Sequence, residues 1–248
     1  LRQGGALNLA QIGEIVCADI DEGRAKETVA LIEARGGTAH AAVVDVAERT
    51  AVESLAAFAR TVFDGPPTLV INNAGVGIGG RPVGDIGLDD WNWALGINLW
   101  GVVHGCELFA PMLREAGRGG IINVASAAAF GAAPGMAAYN VSKAGTLSLS
   151  ETLAAELAGT GINVTVLCPT FVKTNIVNAG RIPEETTQLA DRLMRLTGFS
   201  PGTGGAMSAS SSEAKGRPGL SDFVQPMTAN AVRRSHLILR HESLRPAR

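Results

Sequence analysis

The chain predicts an α/β protein built on a doubly wound parallel sheet, and three observations carry that expectation. Short runs rich in β-branched residues alternate with longer segments whose apolar residues recur at the helical period. The short runs are apolar throughout, as strands are when helices cover both faces of a parallel sheet. Polar residues and glycines gather where those runs end, at Asp19, Asp45, Asn72-Asn73-Ala74-Gly75, Ser126 and the stretch from Pro169 to Thr174. Open α/β sheets bind ligands beyond the carboxyl ends of their strands. One or two such ends are ordinary turn chemistry; five in succession point to a site.

Residues 14–19 (EIVCAD) read as the first strand. Residues 22–35 follow as a helix, with Ala25, Val29 and Ile32 at helical spacing, and Gly36-Gly37 stops it. Residues 39–46 are a second strand, and 48–63 a helix with Val52, Leu55, Ala56, Ala59 and Val62 on one side. Gly65-Pro66-Pro67 breaks that helix before a third strand at 68–72. A long helix is expected over 89–114, a strand over 120–125, another long helix over 139–157 and a fifth strand over 162–168. The right-handed crossover rule then winds these units into one doubly wound sheet.

Composition removes several classes of function. With 46% apolar and 18% charged residues in 248, the chain can bury a sizeable core. No apolar run approaches the ~20 residues that span a bilayer, so neither a membrane nor a targeting segment is expected and a cytoplasmic location is the default. Cys17, Cys106 and Cys168 each lie in an apolar run, and no histidine has metal-ligand spacing with them, so no metal is expected. Residues 1–198 hold 14 Lys+Arg against 20 Asp+Glu, whereas 199–248 hold 7 against 3. An acidic body argues against nucleic acid as the partner.

Tyr139, the only tyrosine, stands four residues before Lys143. In a helix that spacing puts both on one face. A phenol titrates near ~10, and an adjacent ammonium favours the phenolate, which suits proton transfer near neutrality. A half-buried tyrosine with a solvated lysine is the plainer alternative.

Asn72-Asn73-Ala74-Gly75 after a strand, Asn98 in the next helix, Ser126 after the following strand, and Tyr139-x-x-x-Lys143 thirteen residues beyond Ser126 together resemble the short-chain dehydrogenase/reductase family. The resemblance covers about residues 14–175 and implies a Rossmann-like fold. It implies that Tyr139 is the general acid/base and that Lys143 lowers its pKa and holds the nicotinamide ribose. Ser126 would hydrogen-bond the substrate oxygen, and Asn98 would anchor a water in the proton relay. Asn73, Ala74 and Gly75 would support the cofactor, and Asp45 and Val46 would border the adenine. The segment from Pro169 to Thr174 would place Val172 and Thr174 near the carboxamide, with Thr170 where the family has glycine. Asp19 stands where this fold places an acid on the adenosine ribose. A 2′-phosphate would meet repulsion there, so NAD is favoured over NADP. The implied reaction is hydride transfer between nicotinamide and a secondary alcohol or ketone, on a small apolar substrate. The alternative is a binding or inactive protein that keeps the fold and has lost the cofactor.

Two departures stand out. The family's opening strand and glycine-rich phosphate turn are absent from the given sequence, since counting back ~20 residues from Asp19 passes Leu1. An N-terminally truncated chain with unpaired sheet edges is the expectation. Residues 1–198 then form the dinucleotide-binding domain, and 199–248 an irregular or disordered basic tail without a seventh strand. Residues 183–197 read as an amphipathic lid helix. The helices at 89–114 and 139–157, with small residues Ala144, Gly145, Ala154 and Ala155, resemble those that pair subunits into homodimers or homotetramers; these residues could equally pack within one chain.

Overall fold

The computed structural model describes residues 13–169 and 180–183, with the backbone of Met207–Ser210 and Ser235–His241. The strands are β1 (Gly13–Asp19), β2 (Ala39–Val43), β3 (Leu69–Asn72), β4 (Gly119–Val124), β5 (Ile162–Cys168), β6 (Met207–Ser210) and β7 (Ser235–His241). They form one sheet in the order β2-β1-β7-β3-β4-β5-β6. The pairs β1/β2, β3/β4 and β4/β5 are parallel, while β7 and β6 run antiparallel to their neighbours.

Helix α1 (Glu22–Glu33) starts where the Asp21 carboxylate accepts from the Arg24 N–H at 3.1 Å. It ends before Gly36, whose φ of +78° is the left-handed conformation that glycine adopts without strain. Helix α2 (Arg49–Val62) buries Val52, Leu55, Ala56 and Ala59, the stripe its spacing predicts, with only Val62 partly exposed. Helix α5 (Ala137–Glu156) begins two residues before Tyr139.

The helix expected over 89–114 is interrupted. Helix α3 (Leu88–Leu95) passes through a π turn at Gly96–Trp100 into α4 (Gly101–Ala116). Asn98 sits in that turn, fully buried. π turns inside helices are uncommon and cluster at functional sites.

Within 199–248, the described segments Met207–Ser210 and Ser235–His241 depart from the expected irregular tail. β6 extends the sheet beyond β5, and β7 lies between β1 and β3, with Ile238 fully buried among them. The expected unpaired edges between β1 and β3 are therefore closed. Parallel neighbours held apart each need a ladder partner, and an apolar Leu237-Ile238-Leu239 run supplies one.

The core lies between the sheet and its helices, where Val16, Val70, Ile121 and Ile238 meet Leu55, Phe109 and Leu113. Each such side chain contributes about 1.5–3 kcal/mol by its burial. Helix α4 reaches β3 closely because it presents glycine: a Cβ at Gly105 would fall 2.1 Å from Asn72 Oδ1. A buried polar line runs beneath the strand ends. Asn72 Nδ2 donates to Asn123 Oδ1 at 2.8 Å, Asn123 Nδ2 to Ser150 Oγ at 2.9 Å, and Ser150 Oγ to the Thr146 carbonyl at 2.6 Å. This line ties β3, β4 and α5 together directly below the polar edge.

Candidate active site

Polar side chains converge where β3, β4 and β5 end. After β3 the chain passes through Asn73 and Ala74, both buried, to Gly75. A Cβ at Gly75 would lie 3.3 Å from Asn98 Oδ1 and 3.5 Å from Lys143 Nζ. The bare backbone there brings the loop against two expected site residues at once.

Asn98 holds that loop from the π turn. Its Oδ1 accepts from the Val76 N–H at 2.7 Å, and its Nδ2 donates to the Val76 carbonyl at 3.0 Å and to Ser142 Oγ at 3.2 Å. The Ser142 hydroxyl donates in turn to the Tyr139 carbonyl at 2.7 Å. Thr146 Oγ1 lies 3.1 Å from the Asn98 carbonyl and 3.0 Å from the Ser142 carbonyl. Asn98 is thus fastened to α5 through side chain and main chain, on the same helix that carries Tyr139 and Lys143.

Ser126 follows β4 in extended conformation and caps a short 3₁₀ turn at Ala127–Ala129, accepting from the Ala128 N–H at 3.2 Å. The Ala127 N–H donates to the Pro169 carbonyl at 2.9 Å, so the end of β4 is sewn to the segment after β5. The Ser126 hydroxyl lies close enough to the Tyr139 phenol to favour its charged form.

The electrostatics differ from the sequence expectation. Burial pushes the Tyr139 phenol above its ordinary range, and the Ser126 hydroxyl only partly opposes that. Burial also brings the Lys143 ammonium down to about 8, against a smaller opposing pull from Cys168. Lys143 Nζ lies 5.9 Å from the Tyr139 ring centroid and donates to the Val124 carbonyl at 2.9 Å. The two residues share a helix face, but the lysine turns toward the end of β4.

The second half of the edge lies at β1 and β2. Asp19 is buried at the end of β1 and accepts from the Asp21 N–H at 3.0 Å. The nearby Arg24 pairs with Asp21 at 3.3 Å. Asp45 accepts from the Ala47 N–H at 3.0 Å, and the carbonyl of buried Val46 is hydrogen-bonded to His104 Nδ1 at 3.0 Å. Of the segment from Pro169 to Thr174 only Pro169 is described; Val172, Thr174 and most of the expected lid at 183–197 lie outside the described residues. Gly145 packs within the chain, where a Cβ would meet Leu99 Cδ1 at 3.0 Å.

Four residues at this edge escape sequence reasoning. Ser142 and Thr146 look like ordinary helix positions, although they lie three and seven residues after Tyr139, on its face. Arg181 and Asp90 carry no periodic signal. Arg181 Nη1 donates to Asp90 Oδ1 at 2.5 Å, its guanidinium lies 4.3 Å from the Trp93 ring centroid, and its N–H donates to the Gly77 carbonyl at 3.0 Å. Among the described residues no helix is long and apolar enough to cross a membrane, and no group of three or more His, Cys, Asp or Glu is placed to hold a metal ion.

The chain is similar to known proteins. The family model for short chain dehydrogenase matches residues 6–185. A Mycobacterium tuberculosis protein described as a probable oxidoreductase, EphD, is 46% identical over 176 residues, covering 69% of this chain and 29% of its own. The C alpha-dehydrogenase of Sphingobium sp. strain SYK-6 is 36% identical over 181 residues, covering 72% of this chain and 59% of that one. The chain therefore spans less than two thirds of these relatives. Among solved structures, a short chain dehydrogenase/reductase from Burkholderia phymatum in complex with NAD aligns with a TM-score of 0.65 at 36% identity, covering 73% of this chain and 68% of that one. A metagenomic short-chain oxidoreductase in complex with NADP aligns at 0.64 and 25% identity, covering 76% and 82%. With the family model matched over residues 6–185, and with relatives of this identity, the chain belongs to the short-chain dehydrogenase family.

Proposed function

We propose that this chain is the catalytic body of an NAD(P)-dependent oxidoreductase that interconverts a secondary alcohol and a ketone, with Tyr139 as general acid/base. The observation that carries this reading is the placement of Ser126 after β4 and of Tyr139 at the start of α5, where the Ser126 hydroxyl acts on the phenol, with Lys143 one helical turn away. Two hydroxyls side by side can hold one substrate oxygen between them. In the reducing direction charge develops on that oxygen as hydride reaches the carbon. Ser126 donates to it, and Tyr139 gives up its proton. In the oxidising direction Tyr139 takes the hydroxyl proton, and the Lys143 ammonium stabilises the phenolate.

The residues present fit a dinucleotide at its two ends. Asp19, Asp45 and Val46 suit the adenosine end, and the close passage of Gly75 beside Asn98 and Lys143 suits the nicotinamide ribose. The bound cofactor supplies or accepts the hydride. Buried Asp19, with Arg24 paired to Asp21, supports NAD over NADP. Two exposed apolar side chains, Trp100 beside α4 and Val141 on α5, support pairing of subunits through those helices. Three free, buried cysteines accord with a reducing, cytoplasmic compartment.

A non-catalytic reading is favoured by one observation, the antiparallel β7 between β1 and β3. That strand starts beside Asp19 and Asn72 and ends at the opposite edge, the reverse of a strand that would carry a phosphate-binding helix start to this edge. Titrating NADH and NADPH fluorescence, then following cofactor absorbance with a panel of secondary alcohols and ketones, separates the two. Binding with turnover upholds the enzyme; no binding at millimolar cofactor upholds the second reading.

A further inference from the structure

Beside Tyr139 lies a shallow pocket whose apolar floor includes Ile78, Met136 and Ala138 and whose wall is Arg81, Asp90 and Arg181. Ile78 and Ala138 belong to the buried cluster against which Tyr139 packs. The apolar floor thus shares Ile78 and Ala138 with the packing of Tyr139.

The wall is unbalanced. Arg81 Nη1 donates to one Asp90 oxygen at 3.1 Å and Arg181 Nη1 to the other at 2.5 Å. Two guanidinium groups face one carboxylate, and no other ionisable side chain lines the pocket among the described residues. One arginine would neutralise Asp90, so a positive charge is left over. Each guanidinium carries five N–H donors in a fixed fork, the geometry that receives a carboxylate. Arg181 is held in plane by Trp93 and anchored by its main chain to Gly77, yet its side chain is 48% exposed. It is preorganised while its outer donors still face solvent.

We propose that Arg81 and Arg181 form a carboxylate subsite, so that the substrates are apolar hydroxy or oxo acids whose reacting carbon lies at Tyr139. This rests on the oxidoreductase reading above for the reaction, but not for the binding.

Two arms of one experiment keep them apart. In the first, cyclohexanecarboxylate and its methyl ester are titrated without cofactor by calorimetry, using the full chain. The carboxylate should bind about tenfold or more tighter than the ester. Arg81→Gln and Arg181→Gln should each weaken the carboxylate about five- to tenfold and leave the ester unchanged. Arg181→Lys, which keeps the charge near Asp90 but loses the fork, should also weaken it. In the second arm, 4-oxocyclohexanecarboxylate and its methyl ester are offered with NADH, and the acid should show the lower KM. Preference for the acid in binding without turnover of either compound would uphold the subsite and remove only the activity. Equal affinity for acid and ester, or equal loss of both in the glutamine variants, would overturn the subsite; the second result would make the triad a structural latch. Arg81, tied by its side chain only to Asp90 among the described residues, carries the test if Arg181→Gln fails to fold.

Discussion

Thr146 Oγ1 stands 3.1 Å from the main-chain carbonyl of Asn98, and both residues are fully buried. That carbonyl lies in the π turn, and the threonine hydroxyl meets it from α5. Because the same hydroxyl lies 3.0 Å from the Ser142 carbonyl, one proton serves two acceptors. Thr146→Val, which keeps the shape and removes the donor, should destabilise the protein by about 1–3 kcal/mol in urea unfolding. It should also lower kcat severalfold, and Thr146→Ser should restore both. Unchanged kcat with reduced stability would confine Thr146 to packing.

Lys143 makes stability depend on pH in a defined direction. Burial penalises its charged form and pulls its pKa down to about 8 from an ordinary ~10.5. Below about pH 8 both folded and unfolded chains hold the proton, and the burial cost is paid in full. As pH rises from about 8 toward 10.5 the folded state releases its proton first, so this residue's penalty fades. Lys143→Met should therefore stabilise the fold at pH 7 by about 1–2 kcal/mol, allowing for the lost bond to Val124. The advantage should shrink by pH 10, as thermal unfolding across that range will show, while turnover is abolished.

Gly105 lets α4 press against β3, and Gly105→Ala should force its methyl group against Asn72 Oδ1. A loss of about 1–3 kcal/mol is expected, with displacement of Asn98 at the head of the same helix. Chemical denaturation gives the first, and a fall in cofactor affinity reports the second.

Asp19 sets the expected preference for the unphosphorylated cofactor. Asp19→Asn keeps an acceptor for the Asp21 N–H and removes the charge. The ratio of NADPH to NADH dissociation constants should then drop about tenfold in fluorescence titration, the scale of one charge-assisted contact. An unchanged ratio would place the discrimination elsewhere.

Much of the fold was legible because burial imposes periodicity. The stripe Val52, Leu55, Ala56 and Ala59 and the apolar strands around Val70 and Ile121 appear in the structure as the spacing predicts. Ser126 follows β4 and Tyr139 opens α5, positions that strand and helix spacing also indicate. The π turn was hidden because the helical spacing of Leu95, Leu99 and Val102 runs through it without a break. The bulge answers to Val76, twenty-two residues away, whose backbone Asn98 completes. β7 was hidden for a similar reason. Leu237-Ile238-Leu239 is too short a run to declare a strand, and its partners in β1 lie more than two hundred residues earlier. The direction in which Lys143 turns depends on the Val124 carbonyl, which helix spacing alone cannot convey.

The central claim is that Tyr139 moves the proton. Its most direct test is Tyr139→Phe, assayed on the secondary alcohol or ketone that the wild-type chain turns over fastest. Cofactor affinity should stay within about twofold and the melting temperature close to wild type, while kcat falls at least ~10²-fold, the scale of one lost general acid/base. Turnover within a few-fold of wild type, with cofactor bound, would contradict the assignment.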